Sequence, residues 1–300
     1  MQLKNIDRGG ALVAIVVMAG LPLVFDSRYL MGVLTVAAIY GIWSVSWDFM
    51  SGLTGRENFG HSLFIGVGAY AAGFLNTTWG ANAWWSLPAG MLAAVVFALI
   101  MGIPTLRLKG PYFALAMLSG AVIMQRLMLI FWEHTGGEEG INGIEPLIRS
   151  PLHFYWFVLG MLVLTAALLG GIARSRWGLI LKAIRGDEAT CQAAGLNVTY
   201  YKIASLVISA AFAGMGGALY AHYQLQVSPQ LFAVVTSITI ITMVSMDSAC
   251  ATTSGAGNPC WAKTSANFSS ALSVAAVVIQ RASVSSASER ACANGWPYRA

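Results

Sequence analysis

Apolar residues in this chain gather in long blocks instead of alternating with polar ones. The blocks lie near residues 10–25, 29–50, 59–77, 83–103, 111–131, 153–173, 203–225 and 231–246. About 20 mostly apolar residues are enough for a helix to cross a hydrocarbon layer about 30 Å thick, and most of the blocks meet that length. Eight blocks in succession, joined by short polar stretches, leave no residues for a soluble surface. The pattern predicts an all-α integral membrane protein, a polytopic bundle of about eight transmembrane helices, the first and last of them short.

Composition sharpens this picture. Of 300 residues 57% are hydrophobic and 10% charged, against about a quarter charged in ordinary soluble domains. A net charge of +5 would suggest nucleic acid if the basic residues formed one patch, but they are scattered singly between apolar blocks. If the N-terminus is cytoplasmic, the inside segments 1–9, 51–58, 104–110 and 174–202 hold ten basic residues, whereas the outside segments hold two, Arg28 and Arg149. The positive-inside rule therefore predicts a multi-pass membrane protein with a cytoplasmic N-terminus. Lys4 and Arg8 ahead of Ala11 to Phe25 imitate a signal peptide, yet no small-residue cleavage pattern precedes Asp26, so this stretch is expected as a retained first span. Four cysteines without CxxC spacing point to neither a disulfide framework nor a metal site.

Small residues recur at helical spacing. Gly66, Gly68, Ala69, Ala72 and Gly73 in the third block, and Ala210, Ala213, Gly214 and Gly217 in the seventh, form small-xxx-small faces that let backbones approach closely. Gly66, Gly68, Tyr70, Gly214 and Gly217 are accordingly the candidates for helix packing or for lining the translocation path. Intramembrane ionisable residues are functional suspects, and Asp48, Arg126 and His61 are the ones available. His61 has no second histidine at metal-ligand spacing. Glu133-His134-Thr135-Gly136-Gly137-Glu138 lacks the HExxH pattern of a zinc protease and is preferable as an outer docking or gate loop. Gly257-Asn258-Pro259-Cys260-Trp261-Ala262-Lys263-Thr264 nearly spells a phosphate-binding loop, but Ala262 stands where the second glycine belongs and no strand precedes it. ATP, if used, must be bound by another chain, and no cofactor is expected in this one.

The segment 174–202 has apolar Leu179, Ala183 and Ile184, polar Arg185 to Glu188, then Ala189, Ala193 and Ala194 before Gly195. That spacing with a glycine stop predicts a short amphipathic helix on the cytoplasmic face. Ser175-Arg176-Trp177-Gly178, Ala183 to Glu188, and Ala194-Gly195-Leu196-Asn197 make this loop similar to that of the branched-chain amino acid permeases of ABC importers. Ser51-Gly52-Leu53-Thr54-Gly55 with Phe59 to Tyr70, Leu106 to Ala114, and Ser209 to Leu219 resemble the same family in matching order, over roughly residues 28–244, and favour its M-type subunit. The resemblance implies a permease of the bacterial plasma (inner) membrane that pairs with a second, related permease as a heterodimer. It also implies two ATP-binding cassette subunits, an extracytoplasmic amino-acid-binding protein and leucine, isoleucine, valine or related cargo. It further implies that 174–202 is a coupling loop, with Arg185, Asp187, Glu188, Ala194 and Gly195 as the residues that engage the ATPases. No catalysis is expected in this chain. An ion-coupled secondary transporter or channel independent of ATPases is the alternative, and it would show paired intramembrane carboxylates or broken helices. A membrane-embedded enzyme would need a clustered catalytic set, which the sequence lacks.

The C-terminal stretch departs from the pattern. Residues 247–300 contain 10 Ser and 13 Ala and no run of 18 apolar residues. The permease domain is therefore expected to end at 246, followed by a low-complexity Ser/Ala-rich tail without a core. A reading-frame shift near codon 245, or a genuinely divergent tail, would produce such a break.

Overall fold

In a computed structural model, the described residues are 28–253 apart from 107, 109 and 110, together with Met18 and Gly20. The rest of the expected first span, the Arg107-Lys109-Gly110 part of the second resemblance block, the phosphate-loop lookalike and the tail beyond 253 lie outside them. Seven of the eight apolar blocks coincide with helices. These are α1 (Arg28–Thr54), α2 (His61–Trp79), α3 (Ala83–Thr105), α4 (Pro111–Ile130), α6 (Pro151–Arg174), α9 (Val198–Gln224) and α10 (Val234–Thr253). Shorter elements join them: α5 (Trp132–Thr135), α7 (Arg176–Gly186), α8 (Glu188–Ala193), and a two-residue antiparallel ribbon pairing β1 (Ile141–Asn142) with β2 (Gln226–Val227). α10 runs through residue 253, past the boundary expected at 246.

Local chemistry sets the helix ends. Pro111 and Pro151 open α4 and α6, where a missing N–H costs nothing. The Asn82 and Asn197 side chains accept first-turn amides of α3 and α9, filling N-cap positions. Five helices, α1, α3, α4, α6 and α9, are long and apolar enough to cross a bilayer. The molecule is an all-α polytopic membrane protein. Burial sorts these five: 78% of the most apolar stretch of α1 and 61% of that of α9 are inside the protein, against 33% for α3, α4 and α6. α1 and α9 therefore form the core with α2, and the other three present Leu92, Val96, Leu115, Ile123, Leu164 and Leu168 outward. Without water, such faces are stable against lipid or another apolar chain.

One end of the bundle gathers Arg56, Arg174, Arg176, Lys182, Arg185 and Lys202; the opposite end gathers Arg28 and Arg149. Exposed Trp79, Trp84, Trp85, Phe131 and Trp132 ring the second end, as aromatic side chains do where hydrocarbon meets water.

Two helices begin inside the bundle. At the first residue of α2, His61 is fully buried and its Nε2 lies 3.0 Å from Ser46 Oγ. Ser46 is eight residues short of the end of α1, about 12 Å by helical rise. The connection 55–60 thus climbs into the bundle before α2 starts. The second case is α10, preceded by a 3-10 turn at Pro229–Phe232. The Ser62 amide donates to Ser237 Oγ at 3.0 Å, and Ser62 Oγ donates to the Phe232 carbonyl at 3.1 Å. The first turns of α2 and α10 are therefore tied together.

Candidate functional site

The small-residue candidates meet at a crossing of α2, α3 and α9. A Cβ on Gly68 would lie 2.4 Å from Gly214 Cα, and one on Gly217 would lie 2.2 Å from the Ile65 carbonyl oxygen. Gly90 of α3 completes the contact, its own Cβ position 2.9 Å from the Gly68 carbonyl. Gly66 and Tyr70 sit one turn away on Phe232. That ring would lie 2.4 Å from a Gly66 Cβ and stacks on Tyr70 with centroids 5.6 Å apart. Phe232 is fully buried. Nothing in its sequence context marks it beyond the Ser228-Pro229 turn, so sequence reasoning missed it. Buried polar atoms collect around this region: the Tyr70 hydroxyl, Asn58 Nδ2 and His61 Nδ1 find no hydrogen-bond partner among the described residues. Asp48 is half-buried and Arg126 faces outward on α4.

The second set of candidates lies at the basic end, and here the structure corrects the expectation of a single amphipathic helix. The segment forms two helices, α7 and α8, broken at Asp187, whose backbone is extended (φ −151°, ψ 109°). The break has a local cause. The Asp187 carboxylate accepts the Ala189 amide at 2.9 Å, the Thr190 amide at 3.3 Å and the Thr190 hydroxyl, so it starts a new helix instead of continuing the old one. Of the apolar positions Leu179, Ala183 and Ile184, the structure buries Ile184 alone. Gly178, Leu181 and Ile184 point inward with Cys191 and Val198, while Leu179 is 64% exposed and Ala183 is exposed as well. Gly195 ends α8 in the left-handed region (φ +84°), and the Leu196 amide returns to the Cys191 carbonyl at 3.1 Å, the closure that makes glycine the fitting residue there.

Arg185 and Glu188 tie this pair to the bundle. Arg185 Nη1 donates to the Gly52 carbonyl at 2.6 Å. Its stem crosses Gly55, where a Cβ would lie 2.7 Å from Arg185 Cγ and φ is +70°. A cation thus sits at the C-terminal end of α1, where the helix dipole favours it. Glu188 Oε2 lies 2.5 Å from Lys202 Nζ and 3.5 Å from Arg56 Nη2; the former is a charge contact without the alignment of a hydrogen bond. Partial burial pushes the Glu188 carboxyl up, but Lys202 and Arg56 together outweigh that and hold it below its ordinary value. The hydroxyl of Thr190, with the two amides, holds Asp187 below its ordinary value too. Ala194 and Gly195 are exposed. Arg56 and Lys202, which the sequence marked only as basic loop residues, are the functional candidates this cluster adds.

At the opposite end, the Asn76 side chain accepts the Glu145 amide at 2.8 Å and donates to the Ala81 carbonyl at 3.0 Å. His222 Nδ1 lies 2.7 Å from the Glu145 carbonyl. The loop expected to be a docking or gate element is therefore fastened to the ends of α2 and α9 and to the β1–β2 ribbon.

Residues 29–246 match the family described as branched-chain amino acid transport system / permease component. The high-affinity branched-chain amino acid transport system permease protein LivM of Salmonella typhimurium is 30% identical over 247 residues, 73% of this chain and 58% of that protein. LivM of Escherichia coli is 30% identical over 262 residues, 78% of this chain and 62% of that protein. The chain thus spans less than two thirds of the length of either relative. Among solved structures, one of a metal-chelate type ABC transporter in an inward-facing conformation superposes with a TM-score of 0.51 at 13% identity, over 88% of this chain and 86% of that one. This last likeness is one of fold alone.

Proposed function

Because this chain belongs to the permease family of branched-chain amino acid transport systems, we propose that it is the membrane-spanning subunit of an ATP-driven importer for leucine, isoleucine, valine or a related amino acid. The observation that carries this reading is the α7–α8 pair. It presents exposed Leu179, Ala183, Ala189, Ala193 and Ala194 at the basic end while Arg185 and Glu188 fasten it to α1 and α9. A small, apolar, firmly mounted surface of this kind suits insertion into a groove of an ATPase subunit. The basic end then faces the cytoplasm, and the fastened loop 131–150 faces an extracytoplasmic binding protein that delivers the substrate. A second permease chain and two ATPase subunits complete the assembly.

Closure of the ATPases would displace α7–α8 and switch the bundle between outward- and inward-open states, ATP-bound and nucleotide-free forms favouring different ones. Arg185, Asp187, Glu188, Ala194 and Gly195 are the coupling residues in this scheme. Gly66, Gly68, Tyr70, Gly214 and Gly217 hold the crossing around which the helices move.

Replacing Arg185, Asp187 and Glu188 together by alanine tests the scheme in proteoliposomes that hold the full transporter. ATP hydrolysis should persist while amino acid uptake is lost, and unchanged uptake would remove the coupling role. The internal starts of α2 and α10 are also a feature of ion-coupled transporters. Uptake that survives deletion of every ATPase subunit would favour that reading.

A further inference from the structure

The connection 55–60 joins the coupling pair to the buried start of α2, and the contacts of Arg56 single it out there. Its Nη1 donates to the Leu108 carbonyl at 2.7 Å and lies 3.4 Å from that of Leu106, both in the α3–α4 connection. Its Nη2 reaches Glu188 at 3.5 Å on α8. Its guanidinium lies over the Phe113 ring of α4, 5.9 Å from the centroid. One planar group thus touches α8, the α3–α4 connection and α4 at once, which a guanidinium fork can do and an ammonium cannot.

The rest of the connection is held at several points. At its lower end the Arg185 stem crosses Gly55. The Asn58 carbonyl accepts Trp47 Nε1 at 2.8 Å, and Asn58 Oδ1 accepts the Gly60 amide at 3.0 Å. Gly60 presses on the α4 backbone so closely that a Cβ would lie 2.1 Å from the Met117 carbonyl oxygen. Next comes His61 on Ser46, then Ser62 on Ser237. Between Arg56 and the joined first turns of α2 and α10, the connection is thus held at Asn58, Gly60 and His61 by α1 and α4.

Resting on the reading of this chain as an ATP-driven permease, we propose that Arg56 is the positioning residue that passes the movement of α7–α8 to the buried start of α2. Lys202 acts beside it, keeping Glu188 ionised and directed at Arg56.

The test uses the complete transporter in proteoliposomes, with L-leucine uptake and ATP hydrolysis measured in one preparation for wild type, Arg56→Gln and Arg56→Lys. Arg56→Gln should keep hydrolysis within about twofold of wild type while leucine carried per ATP falls about tenfold or more. Arg56→Lys keeps the charge but cannot span both sides, so its ratio should be intermediate. If Arg56→Gln yields no assembled complex, Arg56→Lys decides: a ratio equal to wild type overturns the proposal. Parallel loss of uptake and hydrolysis in step with reduced assembly, in both variants, would show a merely structural residue and also overturn it. Wild-type uptake that needs no ATP would instead remove the functional reading on which the proposal rests.

Discussion

Gly68 and Gly214 meet backbone to backbone, with no room for a methyl group between α2 and α9. Alanine at Gly68 must therefore force α2 and α9 apart, whereas at Gly214 it would strike α3 instead, 2.4 Å from the Ala94 Cβ and 2.7 Å from the Gly90 carbonyl oxygen. Each substitution should destabilise the bundle by about 1–3 kcal/mol, the usual cost of overpacking. Gly160 of α6, with nothing within 4 Å of its Cβ position, is the control. Alanine there should be neutral or stabilising by up to about 1 kcal/mol. Thermal unfolding of the three variants in detergent checks the contrast, and equal behaviour would show that the crossing yields.

At the opposite end, Asn76→Ala removes both partners that the side chain gives to Glu145 and Ala81. Leaving these backbone groups without a partner costs about 1–3 kcal/mol, so the loop 131–150 should open about tenfold or more often. Protease added to proteoliposomes should cleave that loop correspondingly faster in the variant, in those molecules whose loop faces the medium.

The α8 cap should respond to acid. Asp187 is held below its ordinary value of 3.8; a carboxyl whose folded value is lowered stabilises the folded form above the unfolded value and loses that effect as pH falls through the folded one. Amide exchange at Ala189 and Thr190 should therefore be slow at neutral pH and quicken, beyond its intrinsic pH dependence, only below about pH 4. Asp187→Ala should exchange quickly throughout and lack the acid transition. An unaltered profile in that variant would show that the carboxylate does not cap α8.

Gly195→Ala places a side chain in the left-handed region, at a cost of about 1–2 kcal/mol, although the space around it is open. The Leu196 to Cys191 closure should loosen without disturbing the transmembrane helices. Exchange at Leu196 should quicken about fivefold to thirtyfold, while the global unfolding temperature stays near that of wild type.

The spans were legible because lipid demands long apolar blocks, and that demand overrides most local preferences. Seven blocks became helices, most with ends close to those expected, as where Pro111 opens α4; α9 begins earlier than its block, at Val198 behind the Asn197 cap, and α10 runs later than its own, to Thr253. The segment 174–202 was legible as helical but not in its form. The spacing and the Gly195 stop suggested one helix where there are two, because Asp187 competes with the helix through its own side chain; of the apolar positions Leu179, Ala183 and Ile184, only Ile184 is directed into the bundle. Arg56 was visible only as charge, since its value comes from three elements distant in sequence converging on it. Phe232 and the ribbon of β1 with β2 were illegible for the same reason: contacts between residues far apart in the chain leave no periodicity.

The internal start of α2 bears on biosynthesis. Most hydroxyls in the bundle satisfy themselves within their own helix, as Thr35 does with the Met31 carbonyl and Thr165 with that of Met161, so helices such as α6 can enter the bilayer one at a time. α2 is different. It is not among the helices apolar enough to cross alone, and it opens on His61, whose partner Ser46 belongs to α1. α2 should therefore enter the bilayer together with α1, as a hairpin in which Ser46 is already in place to meet His61.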